Sequence, residues 1–236
     1  MRHWVDRSVE RLGGLLLPPR CVLCGSRGQA PSIDLCAGCE GTLPVAEVPC
    51  ITGPSPLGRS FAPFAYGHPL DHLVHALKYR GQLAVARVLG GLLGQRIEAL
   101  AFGAAIDVLV PVPLHPRRHA ERGFNQSREI ANWVARRLRC GVEESIAARC
   151  RDTRPQVGLR AEERRRNLAG AFSAAPGVRG LRVAIVDDVY TTGATLRELG
   201  QALHDAGARS VEAWCVGRAQ VPKQVDLARD WEVRQT

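Results

Sequence analysis

A chain of 236 residues with 45% apolar side chains can bury one sizeable α/β core plus a small appendage, and is too short for two full domains. It carries 32 Lys and Arg against 23 Asp and Glu, a formal +9, and the surplus is clustered: from His115 to Gly170 there are 14 arginines and 7 acidic residues. Clustering of that kind points to an anionic partner, either a polyphosphate or a nucleic acid. No stretch approaches the roughly 18 apolar residues of a membrane span, so a cytoplasmic protein without a transmembrane segment is expected.

Trp4, Val5, Val9, Leu12 and Leu16 fall near helical spacing and predict a short amphipathic helix within 1–17 that docks on its own protein, contact with a membrane surface being the alternative. A secretory signal is not expected there, because the apolar run at 15–17 is short and Arg11 interrupts it. Two Cys-x-x-Cys knuckles follow, Cys21 with Cys24 and Cys36 with Cys39, separated by eleven residues. Each knuckle can bend two thiolates onto one ion, and four make a closed tetrahedral site suited to structural zinc. Redox pairs or disulfides are the competing reading, disfavoured in a cytosolic chain. Gly53 stands where a partner for Cys50 would complete a third knuckle, so no second zinc site of that kind is expected.

Residues 18–60 are rich in Pro, Gly and Cys and read as a zinc ribbon followed by a linker from Pro49 to Pro56. A short strand is expected from Phe61 to Tyr66, then helices from Leu70 to Tyr79 and Leu83 to Leu100. Ile106 to Val112 is β-branched and apolar, a central strand that breaks into a loop at Pro113. Gly123 to Leu138 carries a helix entered at Asn125-Gln126-Ser127, with Ile130, Trp133, Val134 and Leu138 inward. Val183 to Val186, Thr195 to Ala206 and Val211 to Val216 read as strand, helix and strand. This alternation predicts a parallel sheet with its ligand at the carboxyl ends of the strands. His68, His72 and His75 read as helix-surface residues, with no acidic group to complete a metal triad.

The segment from Val183 to Thr195 is the most informative. An apolar strand ends in Asp187 and Asp188, and Tyr190 leads into a turn of Thr191, Thr192, Gly193, Ala194 and Thr195 that opens a helix. Two carboxylates at a strand end can accept hydrogen bonds from a vicinal diol. The turn presents hydroxyls and backbone N–H groups to a phosphate at a helix N-terminus, where the dipole favours an anion. The bland alternative is a Thr-capped turn with surface aspartates.

These thirteen residues resemble the phosphoribosyl-pyrophosphate (PRPP) signature of type I phosphoribosyltransferases. Together with the cysteine knuckles, Leu77-Lys78-Tyr79, the run from Val112 to Ser127 that holds Arg122-Gly123-Phe124-Asn125-Gln126, and the run from Arg165 to Phe172, the chain resembles the competence-protein ComF/GntX family along nearly its whole length. The resemblance implies an α/β fold, a type I phosphoribosyltransferase-like parallel sheet flanked by helices over 61–236, with the zinc-ribbon module in 1–60. It implies PRPP binding with Mg²⁺ and a link to natural transformation, where imported single-stranded DNA is handled. It does not imply which acceptor, if any, receives the phosphoribosyl group.

On this reading Asp187 and Asp188 hold the ribose hydroxyls, directly or through Mg²⁺, and act as the catalytic acids, while Thr191, Thr192, Gly193, Ala194 and Thr195 wrap the 5-phosphate. Arg117, Arg118 and Arg122, after the first central strand, are assigned to a pyrophosphate loop. Arg166 belongs to a stretch from Asp152 to Asn167 that closes over the site; its alternative is an exposed helical face paired with Glu162 and Glu163. Lys78, one of two lysines in the chain, is grouped with the basic loop as a compact point charge, chance retention being the alternative. Three functions follow: phosphoribosyl transfer with release of pyrophosphate, non-catalytic binding of single-stranded DNA with recruitment of DNA-uptake proteins, or PRPP sensing. Sparse aromatics between His115 and Gly180 argue against a base-stacking platform.

Overall fold

The computed structural model describes residues 19–29, 34–52, 56–100, 106–151 and 170–219. The expected N-terminal helix, Gly53 and Arg166 lie outside the described residues. The helices are α1 (Ala37–Gly41), α2 (Leu70–Arg80), α3 (Leu83–Ala99), α4 (Pro116–Arg122), α5 (Gln126–Leu138) and α6 (Ala194–Asp205). The strands are β1 (Cys50–Thr52), β2 (Arg59–Phe61), β3 (Phe64–Ala65), β4 (Val108–Pro111), β5 (Gly141–Val142), β6 (Ala147–Arg149), β7 (Phe172–Ala174), β8 (Arg182–Tyr190) and β9 (Ser210–Arg218).

Seven strands form one sheet in the order β1-β2-β9-β8-β4-β5, with β3 also paired to β9. Every pairing in it is parallel except β1 with β2. The central strands β8 and β9 are apolar on both faces, as a parallel sheet covered by helices requires. Along β8, Ala184 and Val186 join the core under α2, α3 and α5, while Val183 and Ile185 join the core under α6. That alternation, continued two residues, directs Asp188 to the face covered by α2, where Lys78 meets it.

Three features depart from the sequence reading. The segment expected as a linker holds β1, which pairs with β2, and the boundary set at residue 60 falls inside β2. The short strand expected from Phe61 to Tyr66 is two, β2 and β3, which both meet β9 but at different registers. Trp133, expected inward, packs against the core but is only partly buried, and Arg136 at 4.4 Å and Arg87 at 5.7 Å cover its ring.

The cysteine module is packed onto this core. Leu35, adjacent to Cys36, is fully buried in the same apolar cluster as Leu89 and Leu93 of α3. Its neighbour Asp34 is buried and ion-paired with Arg87 of α3. Helix α3 in turn lies tight on α5: a Cβ at Gly90 would stand 2.6 Å from the Ile130 carbonyl oxygen and 2.6 Å from Trp133 Cβ. Such a clash with backbone typically costs ~1–3 kcal/mol, more than the ~1 kcal/mol that alanine gains over glycine in a helix. Gly90→Ala is therefore expected to lower the urea unfolding midpoint. A midpoint that stays level or rises would show that the two helices separate at little cost.

Candidate functional site

The carboxyl end of β8 carries Asp187 and Asp188, and both are held by protein groups. Asp187 Oδ1 accepts a 2.8 Å hydrogen bond from Ser127 Oγ, in the first turn of α5, and another from the Asp188 backbone N–H at 2.9 Å. Asp188 is buried, and Lys78 of α2 brings its Nζ to 2.7 Å from Oδ2. That approach lies outside good hydrogen-bond directions, so the contact is chiefly charge on charge.

The two acids differ electrostatically. Burial, and then the neighbouring Asp188 charge, push Asp187 up from its ordinary 3.8 to about 7, against the opposing pull of Lys78 and Ser127. Burial alone would lower Lys78, but the charge of Asp188, backed by that of Asp187, holds its ammonium above the usual lysine range. Tyr66, at the start of the turn after β3, is raised by burial and feels Lys78 and Asp188 as well.

Helix α5 owes its position to its own cap. Asn125 has extended backbone, and its Oδ1 accepts from the Ser127 N–H at 3.0 Å, a standard N-cap arrangement. Its Nδ2 donates to the Val112 carbonyl at 3.0 Å, tying the helix start to the loop after β4. One buried side chain thus fixes that loop and aims Ser127 at Asp187. The sequence reading placed Asn125 and Ser127 only as a helix entry and missed both as site residues. The signal was present: a capping Asn followed by Ser, inside the segment that carried the family resemblance.

The turn after β8 is organised around Gly193, which caps α6 at φ 71°. With glycine at the cap, no side chain from that position covers the first-turn N–H groups of α6. A Cβ there would stand 2.6 Å from Tyr190 Cζ, so the ring of Tyr190 packs directly on the turn. Arg197 Nη2 donates to the Thr192 carbonyl at 2.8 Å, and the Ala194 N–H faces Thr192 Oγ1 at 3.4 Å. Thr191 is exposed, Thr192 and Thr195 are partly so, and Gly193 and Ala194 are buried.

The described basic residues engage different partners. Arg117 and Arg118 lie on α4, where Arg117 Nε pairs with Glu121 at 3.0 Å on an exposed face. Arg122, in the last turn, bonds Gln126 and lies 5.8 Å from the Tyr79 ring. Lys78, expected among them, sits on the acidic pair. Beside the loop after β4 a cavity of about 220 Å³ opens, walled by Pro113, Leu114, His119, Glu144 and Arg149, and not by the acidic pair.

The four knuckle cysteines converge, with all their sulfurs within 4.8 Å of one another and Cys24 Sγ 3.7 Å from Cys36 Sγ. A tetrahedral ion with bonds of about 2.3 Å needs sulfurs about 3.8 Å apart, so the spacing fits a thiolate-ligated metal such as zinc. The donor chemistry agrees. Hydrogen bonding from Ser26, then from the Cys39 N–H and thiol, draws Cys36 down to about 6, while the crowding sulfurs of Cys24 and Cys36 push Cys39 up to about 12. Four thiols at one point cannot all ionise without a cation between them. His68, just before α2, and Asp71 and His72 in its first turn form the other cluster of metal-ligand type among the described residues, with both histidines exposed. Asp71 thus supplies the acidic neighbour that the sequence reading had not foreseen.

A parallel sheet with an acidic pair and a glycine-capped helix at the end of its central strand defines a phosphoribosyltransferase-type domain. The phosphoribosyl transferase domain model matches residues 78–236, and a double zinc ribbon domain model matches residues 12–63. The chain is 36% identical to the DNA utilization protein YhgH of Escherichia coli K12, over 91% of this chain and 96% of that one. It is 33% identical to competence protein F of Haemophilus influenzae, over 93% and 100% of the two chains. Competence protein ComFC of Streptococcus pneumoniae is 25% identical over 66% of each. The chain belongs to the ComF/YhgH family of phosphoribosyltransferase-domain proteins. Among the described residues no helix is long and apolar enough to cross a membrane.

The raised Asp187 yields a sign-specific prediction. A carboxyl that binds its proton more tightly when folded costs nothing below the unfolded value near 4, and lowers stability progressively as pH rises to about 7. Asp187→Asn keeps the acceptor for Ser127 and removes the charge. It is expected to raise stability by roughly a few kcal/mol at pH 8 and by almost nothing at pH 4, read from urea unfolding at both. Equal effects at the two pH values would refute the assignment.

Proposed function

We propose that the chain binds PRPP at the carboxyl end of β8, with Asp187 and Asp188 on the ribose hydroxyls and the turn from Thr191 to Thr195 around the 5-phosphate. The observation that carries this reading is the direct succession of the two acids, a turn of hydroxyls and the Gly193-capped N-terminus of α6. Diol acceptors and an anion site then stand a few residues apart on one rigid strand-helix unit. Membership of the phosphoribosyltransferase-domain family supports the same ligand.

Asp187 and Asp188 would hold Mg²⁺, an oxygen-seeking ion, which when bound would offset negative charge on the departing group. In transfer, an acceptor forms a bond to the anomeric carbon as the bond to pyrophosphate breaks, and pyrophosphate leaves with the electron pair. The chain's own contribution is placement: Ser127 orients Asp187, Asn125 holds the loop after β4, and Arg117, Arg118, Arg122 and Arg166 are the assigned sources of positive charge for pyrophosphate. The four cysteines hold one structural zinc, anchoring Asp34 and Leu35 on α3. The work is assigned to the cytoplasm, and its link to competence or DNA utilisation follows what the names of its relatives state for them.

Calorimetry with PRPP and Mg²⁺ is expected to show binding that falls at least about a hundredfold in Asp187→Asn/Asp188→Asn, from the loss of two charge-assisted contacts. Unchanged affinity would remove the cradle assignment. A pyrophosphate-release screen against nucleobases, amines and DNA, with the double variant as control, separates transfer from binding alone. Metal analysis is expected to return one zinc per chain, lost in Cys21→Ser together with thermal stability; a chelator-free preparation without zinc would contradict the assignment.

The second reading, binding of a single-stranded DNA backbone, is favoured by the arginine surplus between His115 and Gly170. It requires affinity that falls steeply with salt and weakens in Arg117→Ala/Arg118→Ala, and a flat salt response would exclude it.

A further inference from the structure

We propose that Lys78 is a resident counter-ion of the acidic pair: in the ligand-free protein its ammonium occupies Asp188 and keeps free divalent cations off the pair. Metal then enters only together with a polyphosphate sugar that carries it. The inference rests on the reading of the pair as a sugar and metal cradle and adds a gate to it.

Three observations lead there. First, Lys78 Nζ stands 2.7 Å from Asp188 Oδ2, and the two side chains are only 24% and 4% exposed. A carboxylate buried to that degree needs a cation, and the fold supplies one from α2. Second, the partner acid is also engaged, since Asp187 accepts from Ser127 and from the Asp188 N–H. A small hydrated ion seeking oxygen from both acids meets an ammonium on one and hydrogen bonds on the other. Third, the cation is lysine in a chain whose only lysines are Lys78 and Lys223. An arginine fork would lock a carboxylate through two aligned bonds. The ammonium here is a point charge on a flexible stem, and its contact is off hydrogen-bond alignment, so it can be drawn away. When ribose hydroxyls take Asp188, the same stem carries the charge to a phosphate oxygen of the ligand.

The test uses the full chain with its cysteine site loaded with zinc and no PRPP. Mn²⁺ is titrated and free Mn²⁺ is read by electron paramagnetic resonance. Lys78→Met and Lys78→Gln are each expected to bind one Mn²⁺ at least about tenfold more tightly than the parent chain, because the competing charge is gone. The gain is expected to vanish in Lys78→Gln/Asp188→Asn. Lys78→Gln keeps an amide donor for Asp188, so it carries the test if the methionine variant fails to fold. Mn²⁺ binding no tighter than in the parent chain, or a gain that survives Asp188→Asn, would overturn the proposal. Because PRPP is absent, failure here leaves the calorimetric test of the cradle standing, and failure of that test leaves the Mn²⁺ result readable.

Discussion

Two carboxylates at the end of a strand buried on both faces must each find a compensating group, and much of the surrounding architecture answers that demand. Asp188 takes Lys78 from α2, and Asp187 takes Ser127 from α5. Neither helix can drift without exposing an uncompensated acid in a poorly hydrated place. The position of α5 depends on Asn125, which caps it and grips the loop after β4, and on α3, which presses against it at Gly90. Helix α3 is tied through Arg87 to Asp34, beside the cysteine knuckles. A chain of packed and charged contacts therefore runs from the cysteine cluster to the acidic pair.

That arrangement divides labour between two chemically identical side chains. One acid shares its site with a full positive charge; the other is hydrogen-bonded, half-buried and pushed up to about 7. A fold selected for stability alone would not place a second carboxyl beside the first. The tension is of the kind found at binding sites, where a group that weakens the free protein is kept for what it does with a ligand.

The positive charge of the chain is organised less simply than its composition implies. Several arginines of the rich segment, Arg117, Arg128 and Arg137, meet Glu121, Glu144 and Glu98 on exposed faces. Arg87 and Arg136 lie over Trp133. Exposed pairs of this type contribute little to stability, but they do lower the field available to a distant polyanion. A formal surplus is thus an upper bound on the attraction a nucleic acid would feel.

Local order was legible from the residues themselves. The β-branched runs of β4, β8 and β9, the heptad-like faces of α2, α3 and α5, the acids followed by a glycine turn, and the paired cysteine knuckles are all short-range patterns, governed by neighbours a few positions apart. The partners of those groups were not legible. Lys78 and Asp188 are separated by more than a hundred residues, and so is the meeting of β2 with β9; nothing in local spacing dictates either. The same holds for β1, whose three residues are a strand only because β2 lies alongside. Residue types set what chemistry was available, through charge, reach and backbone preference. Tertiary structure decided which charges met, because burial and long-range packing alone determine who stands 3 Å from whom.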